Sequence, residues 1–548
     1  MAEGAFTPKL VTTLREGYGL AHLRADALAG LTVAIVALPL AMALGIASGA
    51  SPRDGLVTAI VAGFLISALG GSRVQVGGPT GAFVVVVAGI IAAHGFSGLV
   101  LATLMAGVML VAAGYAGVGR LMRFVPMPVV TGFTAGIAVI IASSQIGDFL
   151  GLSAGTVPPE FVEKWIAYGG ALGSVSWPTL GLAAAALGMI ILLRRVAPRA
   201  PAFLLVIVAS AAAVAWFDLP VDSVGDRFPA MPTGLPLPRW PEFSFALARE
   251  VLPSAFVIAF LAGVEALLSA VVADGMTGRR HRSGQELVGM GIANIASGLF
   301  GGLPATGAIA RTATNVRAGA KSPIAGVLHA VFLLVFLLVA GSLIALVPMA
   351  ALAAVLMMVA WGMSEADRFA ALLKSDLGER ALLLLTFLLT ILVGLAVAIG
   401  VGVTLAALMF MHRMSENAGL APVDAEEEPG LRDRLSPDVE VLRLSGPIFF
   451  GVASEMLEAL RRIGQLPRAI VLRMEQVPFI DSTGADALAT FVRQAKNDNT
   501  EVWLCGLQRG PLAILARLDP PFAGARRTST WEGALSKVAI ASPTRNSQ

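Results

Sequence analysis

Cysteine is almost absent from this chain: of 548 residues only one, Cys505, is a cysteine. An internal disulfide and a metal site with cysteine ligands are therefore excluded, and the five histidines are scattered without ligand spacing. The sequence predicts no metal, no cofactor and no catalytic residues, so we do not expect an enzyme. Charged residues are also scarce, at 14%, whereas 56% of the residues are hydrophobic and the mean hydropathy is +0.80. This composition is typical of a membrane protein with many spans.

The first 25 residues lack the short apolar core and the small-residue cleavage site of a signal peptide. Their basic residues favour a cytoplasmic start. Farther along, the chain changes from apolar to acidic and then to ordinary soluble composition. We predict five segments: an N-terminal cytoplasmic segment 1–25, a transmembrane transporter domain 26–415, a linker 416–437, a soluble domain 438–540 and a tail 541–548.

The apolar part of the chain divides into fourteen predicted spans. They are 27–46, 55–70, 79–93, 98–118, 126–150, 176–193, 201–217, 250–273, 285–300, 307–317, 323–346, 348–363, 380–396 and 398–412. The third and the tenth are too short to cross a hydrocarbon core of about 30 Å as helix alone. With a cytoplasmic N-terminus, most Lys and Arg residues fall in the inner loops, and the outer loops carry only Arg53, Lys164, Arg227, Arg239 and Arg249. This asymmetry predicts that both termini are cytoplasmic, in the inner membrane of a bacterium. It also explains the basic pI of about 9.2 without nucleic acid.

Three landmarks recur in the same order in both halves of the apolar region, at nearly one spacing. They are Gly-Gly at 70–71 and 301–302, PTGA at 79–82 and PATGA at 304–308, and VPM at 125–127 and 347–349. Thr80 aligns with Thr306 in this comparison. Because each half contains seven spans, an odd number, the two halves have inverted topology. The sequence therefore predicts an inverted repeat in which the two short helices point at each other from opposite sides.

Two half-helices that point at each other favour the binding of an anion between them. The first turn of a helix has unpaired backbone N–H groups and about half a positive elementary charge. Glycine allows close approach to the backbone, and threonine can cap the turn or donate its hydroxyl. The candidate substrate-binding residues are Thr80, Gly81, Ala82, Phe83, Thr306, Gly307, Ala308, Ile309 and Arg311. The alternative is that the breaks merely bend packed helices.

Two of the ionisable residues inside predicted spans define the candidate site further. Arg311, one turn into the tenth span, needs a partner or a cavity because an unpaired charge there costs about 2.5 to 3.5 kcal/mol or more. A bound anion could be that partner; the alternative is that the arginine snorkels to the inner interface. Glu265 is the only charge in 251–273. We predict that it is a coupling residue that carries a proton, with a fixed counter-ion to Arg311 as the alternative.

The soluble domain shows a β-α-β-α-β pattern. Strands are predicted at 439–444, 469–474 and 502–505, and helices at 453–463 and 484–496. Residues 479–484 read FIDSTG, which places Asp481 and Ser482 at a helix start, where either can serve as an ordinary N-cap.

Together these motifs resemble the sulfate permease (SulP) family of anion transporters over nearly the whole chain. The matching segments are LPLAMA at 38–43, GPTGA at 78–82, LAGVEALLS at 261–269, VAD at 272–274 and the glycines at 301–302. The resemblance implies a seven-plus-seven inverted repeat with a core (spans one to four and eight to eleven) and a gate (the other spans), a homodimer, and an anion between the two half-helices. The soluble domain resembles the STAS domain that follows such transporters, where Ser482 occupies the position of a phosphorylatable serine.

Two departures bear on substrate and coupling. Leu40 stands where many sulfate-type members have glutamine, as in relatives that resemble bicarbonate transporters. Glu265, Ile309 and Arg311 replace the residues found in sodium-coupled bicarbonate members, which favours proton symport or uncoupled exchange. Sulfate is our first choice of substrate, followed by bicarbonate and a dicarboxylate such as fumarate or succinate. An anion channel of the same fold and a membrane receptor that signals through its STAS domain remain alternatives.

Overall fold

The chain forms two compact units, residues 1–403 and 404–548, in a computed structural model. The structure describes residues 6–120, 126–155, 157–158, 160–198, 200–229, 234–241, 244–416, 419–422, 436, 438–449, 467–517 and 524–540. The predicted helix 453–463, the tail 541–548, Val125 of the first VPM landmark and most of the linker 416–437 lie outside these residues.

Helices occupy every predicted span. In chain order the helices of the apolar region are α1 (Lys9–Arg15), α2 (Leu20–Ala47), α3 (Pro52–Leu69), α4 (Val84–Tyr115), α5 (Met127–Ser144), α6 (Ile146–Leu150), α7 (Phe161–Ala171), α8 (Trp177–Val196), α9 (Ala202–Phe217), α10 (Val224–Arg227), α11 (Phe245–Thr277), α12 (Ser283–Leu299), α13 (Ile309–Arg317), α14 (Ile324–Ile344), α15 (Met349–Met363), α16 (Ala366–Leu372), α17 (Leu377–Leu392) and α18 (Leu395–Glu416). The third and fourth predicted spans share α4, which breaks at Gly95 (φ 66°, ψ −174°). The sequence did not predict α1, α7, α10 or α16, all of which lie between the predicted spans or before the first.

The two short spans are short helices in the structure. A 3-10 turn (Gly81–Phe83) opens the third span, and α13 has only nine residues, so it extends about 14 Å. Just before each of them lies a two-residue strand: β1 (Gly77–Gly78) and β2 (Thr306–Gly307). These strands pair antiparallel, with Gly77 opposite Gly307 and Gly78 opposite Thr306. The two breaks predicted from the repeat therefore meet each other directly.

The strand register corrects one detail of the repeat. Thr306 lies within β2, opposite Gly78. Thr80 lies beyond the end of β1, directly before the 3-10 turn. The threonines of the similar motifs PTGA and PATGA therefore hold different positions in the two breaks.

Helix packing separates the apolar region into the two predicted groups. Within the core group, α4 packs on α11 and α12, and α14 packs on α2 and α3. Within the gate group, α5 packs on α17 and α15 packs on α8. Helices in a membrane associate by close packing and not by the hydrophobic effect, and small residues allow their backbones to approach each other. The helical membrane fold with core and gate is therefore as predicted.

The C-terminal unit has an α/β fold. Its sheet has the order β3 (Gly419–Pro422), β4 (Val439–Ser445), β5 (Ala469–Gln476), β6 (Glu501–Cys505) and β7 (Ala525–Thr528), accompanied by α19 (Ser482–Asn497), α20 (Arg509–Arg517) and α21 (Trp531–Ile540). Only β3 is antiparallel to its neighbour. The predicted strands and the helix at 484–496 are confirmed, but β3 lies within the predicted linker. Burial raises the pKa of the Cys505 thiol on β6 to about 12, so it stays protonated and unreactive.

The closest helix contact of the core gives the first testable prediction. A Cβ on Gly55 of α3 would lie 2.0 Å from the carbonyl oxygen of Ala41 on α2. We therefore expect Gly55→Ala to destabilise the protein by about 1 to 3 kcal/mol through overpacking. Thermal unfolding in detergent, followed by intrinsic fluorescence, should show a lower Tm.

Gly181→Ala is the matched control for this substitution. Gly181 also lies in a membrane helix, α8, but nothing lies within 4 Å of an added Cβ. Its Tm should be unchanged or higher. Equal Tm values for the two variants would contradict the packing of α2 on α3.

Candidate functional site

The β1–β2 pair lies at the centre of the site and depends on glycine. Gly78 has φ +150°, and a Cβ there would lie 2.3 Å from Nη1 of Arg311. A Cβ on Gly307 would lie 1.6 Å from Nε2 of Gln75. Side chains from the core therefore press against both strands, and only glycine leaves room for them.

Buried polar side chains satisfy the backbone of the break before α13. The Asn294 side chain accepts from the N–H of Ala305 and donates to its carbonyl, both at 2.9 Å. Ser297 donates to the carbonyl of Leu303, and Thr58 accepts from the N–H of Leu303, each at 2.6 Å. Sequence reasoning missed Thr58, Asn294 and Ser297. The signal was available, since polar residues in otherwise apolar spans are expected to hold unpaired backbone.

A buried carboxylate performs the same task for the first Gly-Gly landmark. Oε2 of Glu286, a residue that is 1% exposed, accepts from the N–H of Gly71 at 2.6 Å and from the N–H of Ser72 at 2.8 Å. Glu286 is not among the residues predicted from the sequence, because it lies at the start of a span among other polar residues. The first Gly-Gly landmark therefore marks a place where backbone N–H groups bind a buried carboxylate inside the core group.

Glu265 and Thr80 come together in the structure. The Thr80 hydroxyl donates to Oε2 of Glu265 at 2.9 Å, and both residues are half-buried. Glu265 forms no ion pair with Arg311. The alternative that Glu265 is a counter-ion in direct contact with Arg311 is therefore wrong. Thr80 also does not cap the 3-10 turn that follows it. Its hydroxyl instead fixes a carboxylate beside the start of the first half-helix.

Arg311 is buried behind β1. Its side chain is 2% exposed, and Nη2 donates to the carbonyl of Pro79 at 3.1 Å. Nε and Nη1 have no hydrogen-bond partner among the described protein groups. Snorkelling to an interface is therefore wrong for Arg311, whereas Arg317 at the end of α13 is exposed. The guanidinium lies inside the core group, next to the backbone that begins the first half-helix.

Thr306 has a structural role that the sequence did not predict. It is fully buried, and its hydroxyl donates to the carbonyl of Ala262 on α11 at 2.8 Å. The N-cap of α13 is Ala308, which offers no side-chain acceptor. Thr306 therefore neither caps the exposed turn nor points at the space beside it, and the expectation of a symmetric pair of threonine hydroxyls is wrong.

The other predicted site residues divide between buried and open positions. Ala82, Phe83, Gly307 and Ala308 are buried, whereas Ile309 is 39% exposed. A Cβ on Gly81 would lie 2.4 Å from Sδ of Met363, on α15 of the gate group. Gly81 thus makes room for the gate in this structure.

Asp481 and Ser482 begin α19 of the C-terminal unit. The Asp481 carboxylate accepts from the N–H of Gly484 at 2.8 Å, so Asp481 is the N-cap. Ser482 is exposed at the first helical position. The ordinary capping interpretation is therefore confirmed for Asp481, while the hydroxyl of Ser482 stays accessible.

The sequence profile of the sulfate permease family matches residues 23–386, and that of the STAS domain matches residues 432–519. The first match covers more than half of the chain. The chain belongs to the sulfate permease family. Membership makes it an integral membrane protein of an anion-transporter family, and its relatives are named as transporters, not as enzymes.

Two bacterial relatives align along most of this family member. YvdB of Bacillus subtilis, named as a candidate sulfate transporter, is 40% identical over 504 residues, which are 91% of this chain and 94% of YvdB. The bicarbonate transporter BicA of Picosynechococcus is 32% identical over 88% of this chain and 89% of its own.

Solved structures show the same fold. The murine anion transporter Slc26a9 in its inward-facing state superposes with a TM-score of 0.87 at 18% identity, over 98% of this chain and 94% of that one. The transmembrane domain of a cyanobacterial BicA superposes with a TM-score of 0.63 at 31% identity, over 70% of this chain and 98% of that domain.

The different roles of the two threonines lead to a second prediction. Thr306→Val should remove a buried hydrogen bond, destabilise the protein by about 1 kcal/mol and lower its Tm, but leave the KM for transport within twofold. Thr80→Val should change the KM more than twofold with little effect on Tm, because the Thr80 hydroxyl contacts Glu265. Tm in detergent and uptake into proteoliposomes measure the two effects separately. A changed KM in Thr306→Val, with Thr80→Val unchanged, would contradict this assignment.

Proposed function

We propose that this chain is a secondary active transporter of a small inorganic anion, with sulfate as first choice and with proton coupling through Glu265. The observation that carries the proposal is the hydrogen bond from Thr80 to Glu265 beside the half-helix that starts at Gly81. A carboxylate that can hold a proton therefore lies where an anion would meet backbone N–H groups.

Anion binding follows from the charges around the break. The starts of the two half-helices offer unpaired N–H groups and positive dipole ends. Arg311 adds a full positive charge behind Pro79, with no carboxylate paired to it among the described residues. Candidate contacts are Thr80, Gly81, Ala82 and Phe83 on one side and Gly307, Ala308 and Ile309 on the other. Thr306, which is turned to α11, is not among them.

Proton coupling follows from the place of Glu265. A second negative charge next to an ionised carboxylate is unfavourable in a low-dielectric site. Protonation of Glu265 removes this repulsion, so an anion and a proton enter together, as a symporter requires. Exchange without protons needs no such change, and the two mechanisms differ in their response to a pH gradient.

Sulfate and bicarbonate are the two substrates that observations favour. The 40% identical YvdB supports sulfate, while BicA at 32% identity and Leu40 in α2 support bicarbonate. A dicarboxylate is a third choice. A counterflow panel of sulfate, bicarbonate, chloride, nitrate and fumarate in proteoliposomes identifies the substrate. Saturable uptake distinguishes a transporter from a channel, and absence of any flux favours a receptor.

The same proposal includes the cellular setting. We place the chain in the inner membrane of a bacterium with both termini in the cytoplasm, on the distribution of basic residues, and as a homodimer, on family resemblance. Exposed Ser482 is proposed as a regulatory phosphorylation site of the STAS domain, since a phosphate at a helix start is favourably placed. Phosphate-affinity gels of wild-type and Ser482→Ala protein purified from cells test that assignment.

Glu265→Gln tests the coupling. The substituted side chain still accepts a hydrogen bond from Thr80 but cannot release a proton, so accumulation driven by an inward proton gradient should be lost. Counterflow, which needs no net proton movement, should persist. Both are measured with labelled sulfate in proteoliposomes.

Glu250→Gln is the control on the same helix, because Glu250 is exposed and pairs with His94 at 3.6 Å, away from Thr80. It should accumulate sulfate like the wild type. Proton-driven accumulation that survives in Glu265→Gln would contradict the coupling role.

Arg311→Met tests the charge behind the break. Loss of the guanidinium removes the positive field at the half-helix starts, and we expect KM for sulfate to rise at least about tenfold, or 1.4 kcal/mol. Arg317→Met removes an exposed charge from the same helix and should change KM by less than twofold. Equal KM values in Arg311→Met and wild type would refute the assignment of Arg311 to anion binding.

A further inference from the structure

His329 on α14 is a fully buried histidine that the mechanism has not used. Its exposure is 0%, and neither Nδ1 nor Nε2 has a hydrogen-bond partner among the described protein groups. A buried polar group without a partner costs about 1 to 3 kcal/mol. An apolar residue would fill this position at no such cost, so the imidazole has another reason to be there.

The imidazole lies next to the strand that begins the first half-helix. A Cβ placed on Gly63 of α3 would lie 3.8 Å from Cε1 of His329 and 3.1 Å from the carbonyl oxygen of Gly77. His329 therefore approaches β1 from the side of α3 and α14. His329 therefore lies in the interior of the core group, close to the break that follows β1.

Arg311 occupies the neighbouring position behind the same strand. Its Nη1 would lie 2.3 Å from a Cβ on Gly78, and that Cβ would be 3.5 Å from Cα of Ala59. Ala59 and Gly63 are one turn apart on α3, or about 6 Å. The guanidinium and the imidazole thus approach β1 from positions one helical turn apart along α3.

The hydrogen-bonding capacities of the two side chains are complementary. Arg311 has unpaired donors at Nε and Nη1, and arginine has no acceptor. A neutral imidazole has one acceptor nitrogen and one donor. Oε1 of Gln75, which also lies unpaired against this part of the core, is a further acceptor. A single internal water between groups at this separation would have the two to four polar partners that buried water needs.

We propose that His329 is a positioning residue for Arg311. Its acceptor nitrogen, through one internal water, holds the guanidinium behind Gly77 and Gly78 while the carbonyl of Pro79 holds the other side. The charge of Arg311 then stays fixed beneath the half-helix starts. This inference rests on the proposed function, since His329 affects the anion only through Arg311.

Two substitutions of His329 separate its polar role from its volume. His329→Met fills the site without donor or acceptor, and we expect KM for sulfate to rise about tenfold with Vmax within twofold. His329→Gln keeps one donor and one acceptor and should keep KM within about threefold. Thr131→Val, which removes another buried hydroxyl without a partner from α5, is the control and should leave KM unchanged. Tm in detergent confirms that each variant is folded.

A double-mutant cycle tests whether the effect passes through Arg311. In the Arg311→Met background, which has no donor left for the imidazole, His329→Met should change the KM, and the sulfate-dependent rise in Tm, by less than about twofold. The same fold-change in both backgrounds would show a merely structural role and overturn the inference. So would equal KM values for His329→Met and His329→Gln.

The outcomes also separate this inference from the proposed function. Wild-type protein that transports no anion of the panel would overturn the proposed function. Saturable transport by the wild type with an unchanged KM in folded His329→Met would overturn the role of His329 alone.

Discussion

The backbone pairing of β1 with β2 is the interaction on which the rest of this structure depends. Inside a membrane every peptide N–H and C=O needs a partner, so a span can break only where other groups replace its helical hydrogen bonds. Here two breaks from opposite halves of the chain partly satisfy each other, Gly77 with Gly307 and Gly78 with Thr306. Asn294 and Glu286 pair much of the remaining backbone. The half-helices therefore start at a fixed place, directly after the two paired strands.

The electrostatics of the site follow from this crossing. Arg311 and Glu265 are both close to it, yet they do not neutralise each other, because the guanidinium lies behind Pro79 and the carboxylate accepts from Thr80. A direct ion pair would have cancelled the positive field. Separation leaves one fixed charge in the core interior and one titratable group at a half-buried position, and the proposed proton coupling rests on this arrangement.

The repeat shows where sequence reasoning succeeds and where it fails. Apolar runs predicted fourteen spans, and each of them contains helix in the structure, since the membrane restricts a spanning chain to helix. The doubled Gly/Pro motif located both breaks. The motif nevertheless misplaced Thr306: Thr306 lies within β2 and bonds to Ala262, while Thr80 lies beyond β1 and bonds to Glu265. Identical letters in a motif carry no information about which way a side chain turns.

The sequence by itself determined the class of this protein, its membrane and STAS regions, its two broken spans and two of the ionisable residues near them, Glu265 and Arg311. Composition and local sequence patterns decide these features, and both can be read from the chain without its fold. Only the tertiary structure decided which groups meet: that β1 pairs with β2, that Glu265 is bound to Thr80, and that Arg311 and His329 both approach β1. These contacts join residues far apart in sequence. Their distances depend on how α3, α11 and α14 pack around the β1–β2 pair, and no local sequence pattern encodes that packing.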